Sequence, residues 1–178
     1  DVSVIEKDIK NLEELFLKTK YFVCGTIILS SSISAKSLYF LLEIANKFDV
    51  KLIIDLNWRE CFWEYASLSS ELNENERFDL IIANPPYIAQ GDNNLLAGDL
   101  SYEPRIALVS EESGYSALNE IVDKSYEFIK NGAWLLIEHG YDQQETLLSK
   151  LKCTGYSDIT GHKDFSGVDR IVMARGNI

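Results

Sequence analysis

Asn84-Pro85-Pro86-Tyr87 sits directly after an apolar run, residues 78–83, and is the stretch of this chain best suited to chemistry. Each proline fixes φ near −65° and lacks an N–H, so the backbone here is stiff and its carbonyls are not consumed by a local helical ladder. The Asn84 side chain adds an acceptor oxygen and an amide donor. Clustered acceptors of this kind suit one particular task. The nitrogen of a side-chain amide is a poor nucleophile because its lone pair is delocalised into the carbonyl. Acceptors aimed at both N–H bonds hold the NH₂ group, favour its pyramidalisation and point the lone pair at an electrophilic methyl. Such a transfer needs no metal and no strong general base beforehand; alignment and electrostatic preorganisation carry it. Tyr87 could pack against the planar substrate group. The bare tetrapeptide would serve equally as a rigid turn. Its position favours the chemical reading, because ligands of open α/β sheets bind beyond the carboxyl ends of the strands.

The elements that must position it alternate along the chain. Ile5, Ile9, Leu12, Leu15 and Phe16 recur at helical spacing. Residues 21–29 read as a buried strand, 30–34 as a serine turn with N-cap chemistry, 35–48 as a helix and 50–56 as a second strand. That β-α-β unit implies parallel strands joined by a right-handed crossover. Residues 67–77 are polar and mark a boundary. Beyond the strand at 78–83, residues 90–103 read as a long loop, 116–130 as a helix, 133–138 as a strand and 142–152 as a helix capped by Gly155. Strands starting at 156 and 170 are separated by Gly161–Asp169, which implies an antiparallel return at a sheet edge. The expectation is an α/β fold: a three-layer Rossmann-like sheet, mainly parallel, with an antiparallel C-terminal edge.

Composition narrows the function classes. The chain is 46% hydrophobic with a formal net charge of −11, so it is globular and poorly suited to gripping nucleic acid through its phosphates. A basic protein partner remains compatible with that charge. Cys24, Cys61 and Cys153 are widely spaced, and His139 and His162 are the only imidazoles. Neither a structural zinc site nor a disulfide framework is expected, and a reducing, cytoplasmic setting is. No apolar stretch is long enough for a membrane span. The chain begins at Asp1 rather than Met, so an upstream segment is expected.

Four ordered blocks make the reading specific. Residues 78–88, 98–108, 132–142 and 164–170 together resemble the release factor glutamine methyltransferases, over about residues 77–176. The resemblance implies transfer of a methyl group from S-adenosyl-L-methionine (AdoMet) to the glutamine amide in the Gly-Gly-Gln loop of a peptide chain release factor. It assigns Asn84, Pro85, Pro86 and Tyr87 to glutamine binding, with Asn84 also beside the AdoMet methyl. It implies no metal, no direct nucleic-acid contact and no membrane. It leaves Tyr102-Glu103-Pro104 and Glu138-His139-Gly140 without a derived role, with packing or loop support as likely as direct contact.

Residues 1–65 depart from that family. They hold no G-x-G turn, and residues 30–34 supply serine where glycine would let backbone approach the cofactor. Asp55, Asn57, Arg59 and Trp63, with the strand before them, resemble an internal piece of ribokinase-like (PfkB-type) sugar kinases. That family's Gly-Ala-Gly-Asp catalytic turn is absent. The chain therefore reads as composite: a kinase-like β-α-β segment at 1–65, a junction at 66–76 and a methyltransferase C-terminal half at 77–178, merged into one domain. Asp55 could stand in for the acid that binds the ribose hydroxyls and Trp63 for an aromatic wall, or both keep only structural roles. Weak or absent AdoMet binding is the expectation. The alternatives are a sugar kinase remnant and a non-catalytic α/β scaffold.

Overall fold

The computed structural model describes residues 9–25, 32–56, 77–96, 98 and 102–178. Among these, helix α1 (Ile9–Phe16) leads into β1 (Tyr21–Gly25), α2 (Ser32–Lys47), β2 (Lys51–Leu56) and β3 (Phe78–Ala83). Two short strands, β4 (Ile88–Ala89) and β5 (Val109–Ser110), flank single turns of 3-10 helix. Then come α3 (Ser116–Phe128), β6 (Ile129–Glu138), α4 (Gln144–Thr154), β7 (Ser157–Lys163) and β8 (Asp169–Arg175). The main sheet has the order β1-β2-β3-β6-β8-β7. β1, β2, β3 and β6 are parallel, and β8 runs antiparallel to both β6 and β7. This is the mainly parallel sheet with an antiparallel C-terminal edge that the alternation of elements implies.

Register explains where the core sits. Cys24, Ile54, Ile81, Leu135 and Ala174 pair across five strands and form one continuous buried row. Residues on one side of a sheet recur every second position, so this row and its neighbours share a face. Leu38 and Leu42 of α2, Leu118 and Val122 of α3, and Leu147 and Leu151 of α4 join that same core. The opposite face carries the row Val23, Ile53, Leu80 and Trp134, with Val23 63% exposed. The described helices thus supply one layer against the sheet. β2 pairs directly with β3, so a single sheet runs across both sides of residues 66–76.

Boundaries moved where long-range pairing overrode local signals. The helix expected to reach residue 130 ends at Phe128, and β6 begins at Ile129 rather than 133. Ile129 is fully buried and pairs with Phe78, so burial in the sheet outweighs another half-turn of helix. Gly132, at φ +77°, absorbs the irregularity without breaking the strand. The turn expected at 30–34 is partly helical, since α2 starts at Ser32. Gly155 caps α4 in the left-handed conformation, as its position predicts.

The end of the sheet away from residues 84–87 is tied by Asp79. Its carboxylate accepts hydrogen bonds from Lys130 Nζ at 2.6 Å, Lys51 Nζ at 3.0 Å and the Leu52 N–H at 3.0 Å. Burial pushes the Asp79 carboxyl up, but the bonds from Lys130, Leu52 and Lys51 outweigh it and hold the group below the usual carboxylate range. A depressed carboxyl stabilises the fold above its unfolded-state pKa, and that contribution is lost as pH falls through the folded value. Asp79→Asn should therefore flatten the acid limb of stability. Melting temperatures measured from pH 7 down to about pH 3 check this, and unchanged acid limbs would remove Asp79 from the account.

Candidate active site

β3 delivers Ala83 level with Leu56 of β2 and Ile137 of β6. The next residue is Asn84, so the tetrapeptide starts at the carboxyl end of a central parallel strand. Pro85 and Pro86 are buried, Tyr87 is half-buried and Asn84 is exposed. Buried prolines leave no orphaned N–H, which is why this residue type can sit here. The four residues line a cavity of about 860 Å³ together with Asp55, Gln143 and Arg170.

Tyr87 is pinned at both ends. Its hydroxyl donates to Glu138 Oε1 at 3.0 Å. Burial, then the neighbouring Glu138 carboxylate, pushes the phenol up to about 12, against the opposing pull of Arg170. Its backbone carbonyl accepts from Gln143 Nε2 at 3.0 Å. The residue is thereby held from its hydroxyl and from its backbone at the cavity wall.

The chain after Tyr87 forms β4, which pairs with β5, and Ile88 N–H donates to Leu108 O at 2.9 Å. β5 feeds a tight turn in which Glu112, Ser113 and Gly114 all have positive φ, at 52°, 59° and 91°. Non-glycine residues rarely adopt that region. The turn brings Gly114 so close to the Tyr87 carbonyl that any Cβ there would collide with it.

The other sequence blocks have places around the same cavity. Glu103 lines it, while Tyr102 is almost fully exposed. In the block 164–170, Asp164 Oδ1 accepts from the N–H groups of Ser166 and Val168 and so closes the β7–β8 turn. That turn delivers Arg170 to the cavity, where Nε lies 3.5 Å from Asp164 Oδ2 and Nη1 reaches His139 O at 3.4 Å. His139 is fully buried; its Nδ1 meets Gly140 O at 2.7 Å. Glu138 and Gly140, which the sequence leaves without a role, are thus the supports of Tyr87 and of Gln143. Gln143 itself escaped sequence reasoning; a signal was its place three residues after Gly140, the spacing of a local side-chain turn.

The two residues proposed at the cofactor side fare differently. Asp55 lines the cavity from the neighbouring strand end. Trp63 lies outside the described residues. The serine segment does not stand where the sequence reading put it. It follows β1, the edge strand, and its described part belongs to α2 and contributes nothing to the described cavity wall. The strand beside β3, which ends at Asn84, is β2, and residues 26–31 lie outside the described residues. Among the described residues no group of three His, Cys, Asp or Glu is placed to hold a metal ion, and no helix is long and apolar enough to cross a membrane.

The model of the Eco57I restriction-modification methylase family matches residues 6–143. The chain belongs to that family. The matched range takes in residues 66–76, the segment read from sequence as a junction. Curated relatives carry the name that the four blocks point to. The release factor glutamine methyltransferase of Aliivibrio fischeri is 37% identical over 124 residues, covering 69% of this chain and 42% of that protein. That of Vibrio cholerae is 39% identical over 110 residues, covering 62% and 38% respectively. The chain spans about two fifths of the length of these relatives. Among solved structures, a release factor-specific protein-(glutamine-N5) methyltransferase from Alicyclobacillus acidocaldarius matches with a TM-score of 0.46 at 18% identity, covering 96% of this chain and 93% of that one.

Proposed function

We propose that this chain is part of an AdoMet-dependent methyltransferase of the glutamine side-chain amide, acting on peptide chain release factors at their Gly-Gly-Gln loop. The observation that carries the reading is the clamp itself: Asn84, exposed at the end of a central parallel strand, followed by two buried prolines and a tyrosine pinned at both ends. In this reading Asn84 Oδ1 and the Pro85 carbonyl accept the two N–H bonds of the substrate amide. Pro86 and Tyr87 form the wall against its plane.

The cavity fits the cofactor. Its volume suits a small-molecule site, and Asp55 offers an exposed carboxylate for a pair of ribose hydroxyls. AdoMet supplies the electrophilic methyl group when bound. Asp55 and Asn84 are the described residues that would hold it, and Trp63 is proposed as a further wall. The protein's part is to hold the amide NH₂ aligned and its lone pair exposed, which is catalysis by orientation and preorganised dipoles.

The family's description favours a second reading, a restriction-modification substrate and hence the amino group of a DNA base. Charge weighs against it. Asp55, Asp92, Glu103 and Asp142 line the cavity with Arg170 as the one described cation, in a chain of net charge −11. Polyanion binding needs phosphate neutralisation, and this mouth would repel it. The kinase-like and composite reading of residues 1–65 rests on Asp55, Asn57, Arg59 and Trp63, of which only Asp55 is described. The family match, over residues 6–143, takes in both sides of the junction and supports one methyltransferase unit instead.

Calorimetric titration tests the cofactor side. Two or three charge-assisted contacts of about 1.5–3 kcal/mol each correspond to a Kd on the order of 100 μM. Asp55→Ala should weaken that binding by about tenfold or more. No saturable binding to the wild type would overturn the AdoMet assignment, and equal binding by the variant would remove Asp55 from it. Incubation with a Gly-Gly-Gln peptide and labelled AdoMet then tests the substrate. Label on DNA but not on peptide would decide for the second reading.

A further inference from the structure

Gln143 is 3% exposed and its side-chain amide is fully engaged. Oε1 accepts the Gly140 N–H at 2.8 Å, while Nε2 donates to the Tyr87 carbonyl at 3.0 Å and the Gly114 carbonyl at 3.3 Å. One donor and two acceptors surround it, so the orientation of the amide follows from its partners. Glycine on both sides makes the space. A Cβ at residue 140 would stand 2.9 Å from Oε1, and one at residue 114 would stand 2.8 Å from Nε2. The fit is to a group with two N–H bonds and one acceptor at that reach. Glutamate lacks the donors, and asparagine is one methylene short.

Consider what that amide holds. The clamp spans four residues. Its first end is fixed by the sheet, through Ala83 paired with Ile137. Its last end, the Tyr87 carbonyl, is fixed by Gln143 across 56 residues of sequence. Between them the two prolines have fixed φ angles, so few torsions are left to absorb a rotation at Tyr87 before it reaches the Pro85 carbonyl. A change of direction at Tyr87 would therefore re-aim the acceptors that face the substrate.

We propose that Gln143 is the positioning residue of this site: its amide, by holding the Tyr87 and Gly114 carbonyls together, sets the direction of the Asn84 and Pro85 acceptors. The proposal rests on the reading of residues 84–87 as the amide clamp. It places control of orientation in the segment after β6, on the same cavity wall as residues 84–87.

The test uses the full chain with Gln143→Glu and Gln143→Leu. The first readout needs no activity. Carbon-13 NMR of labelled tyrosine, with Tyr87 assigned through Tyr87→Phe, should place the wild-type phenol at about 12. In Gln143→Leu the released turn should let the hydroxyl leave Glu138, and the titration should return toward about 10. The second readout is methyl transfer to the glutamine peptide at saturating AdoMet. Both variants should lose about 100-fold in kcat. Gln143→Glu should recover as pH is lowered, because the protonated carboxyl regains one O–H donor for a backbone carbonyl. Gln143→Leu should not recover. A purely structural role predicts a lower melting temperature with the Tyr87 titration and the pH profile unmoved, and that result overturns the proposal. If the wild type transfers no methyl group while the phenol moves as described, Gln143 holds Tyr87 but the proposed function fails, and the positioning role falls with it; if the wild type is active and the variants keep its rate, the positioning role alone fails.

Discussion

Asn84→Ala should lower methyl transfer to a glutamine peptide by at least about 100-fold, with the melting temperature within about 2 °C of the wild type. Stability is spared because Asn84 is exposed and lies beyond the last paired residue of β3. Activity is not, because in the proposed reading Asn84 supplies one of the two acceptors that hold the amide nitrogen. Loss of a single preorganised polar group at a reacting centre commonly costs 100- to 1,000-fold, or about 3–4 kcal/mol. Asn84→Asp gives a graded control. It keeps an acceptor oxygen at the same reach while it loses the donor and adds a negative charge, so it should retain more activity than Asn84→Ala. Single-turnover transfer measured for the three proteins at matched AdoMet saturation separates the cases. Equal rates for wild type and Asn84→Ala would remove Asn84 from the mechanism.

The contrast between Asn84 and Gln143 shows which parts of the site a sequence can display. The tetrapeptide is legible because its properties are local: proline fixes its own φ, and a strand-like run stands immediately before it. Asp55 is legible for the same reason, as an acid at a strand end. The serine segment misled because periodicity reveals a β-α-β unit but not its place in the strand order. β1 is the edge strand, two places from β3, which ends at Asn84. Gln143 was hidden because its partners Tyr87 and Gly114 lie 56 and 29 residues away, and because its amide matters only once the 112–114 turn takes up positive φ. The ten-residue length of β6 was hidden likewise, since pairing of Ile129 with Phe78 is what draws the chain out of helix before Gly132.

Gly114→Ala is expected to be the most damaging single-methyl change around the cavity. Two independent costs meet there. Gly114 has φ +91°, a region that L side chains rarely adopt, and the left-handed conformation costs a non-glycine residue about 1–2 kcal/mol. The added Cβ would also overlap the backbone oxygen of Tyr87 and crowd Gln143 Nε2 at 2.8 Å, and forced overpacking costs about 1–3 kcal/mol. The obstacle is backbone on one side and a fully bonded amide on the other, so no flexible side chain can give way. Together the loss should reach about 2–5 kcal/mol in urea unfolding. Part of that strain can be relieved only by moving Tyr87 away from the turn, which breaks its bond to Gln143. The surviving folded fraction should therefore also show the lowered Tyr87 titration expected of Gln143→Leu. Stability within about 0.5 kcal/mol of the wild type would mean that the turn has room to shift, and that Tyr87 is not held against it.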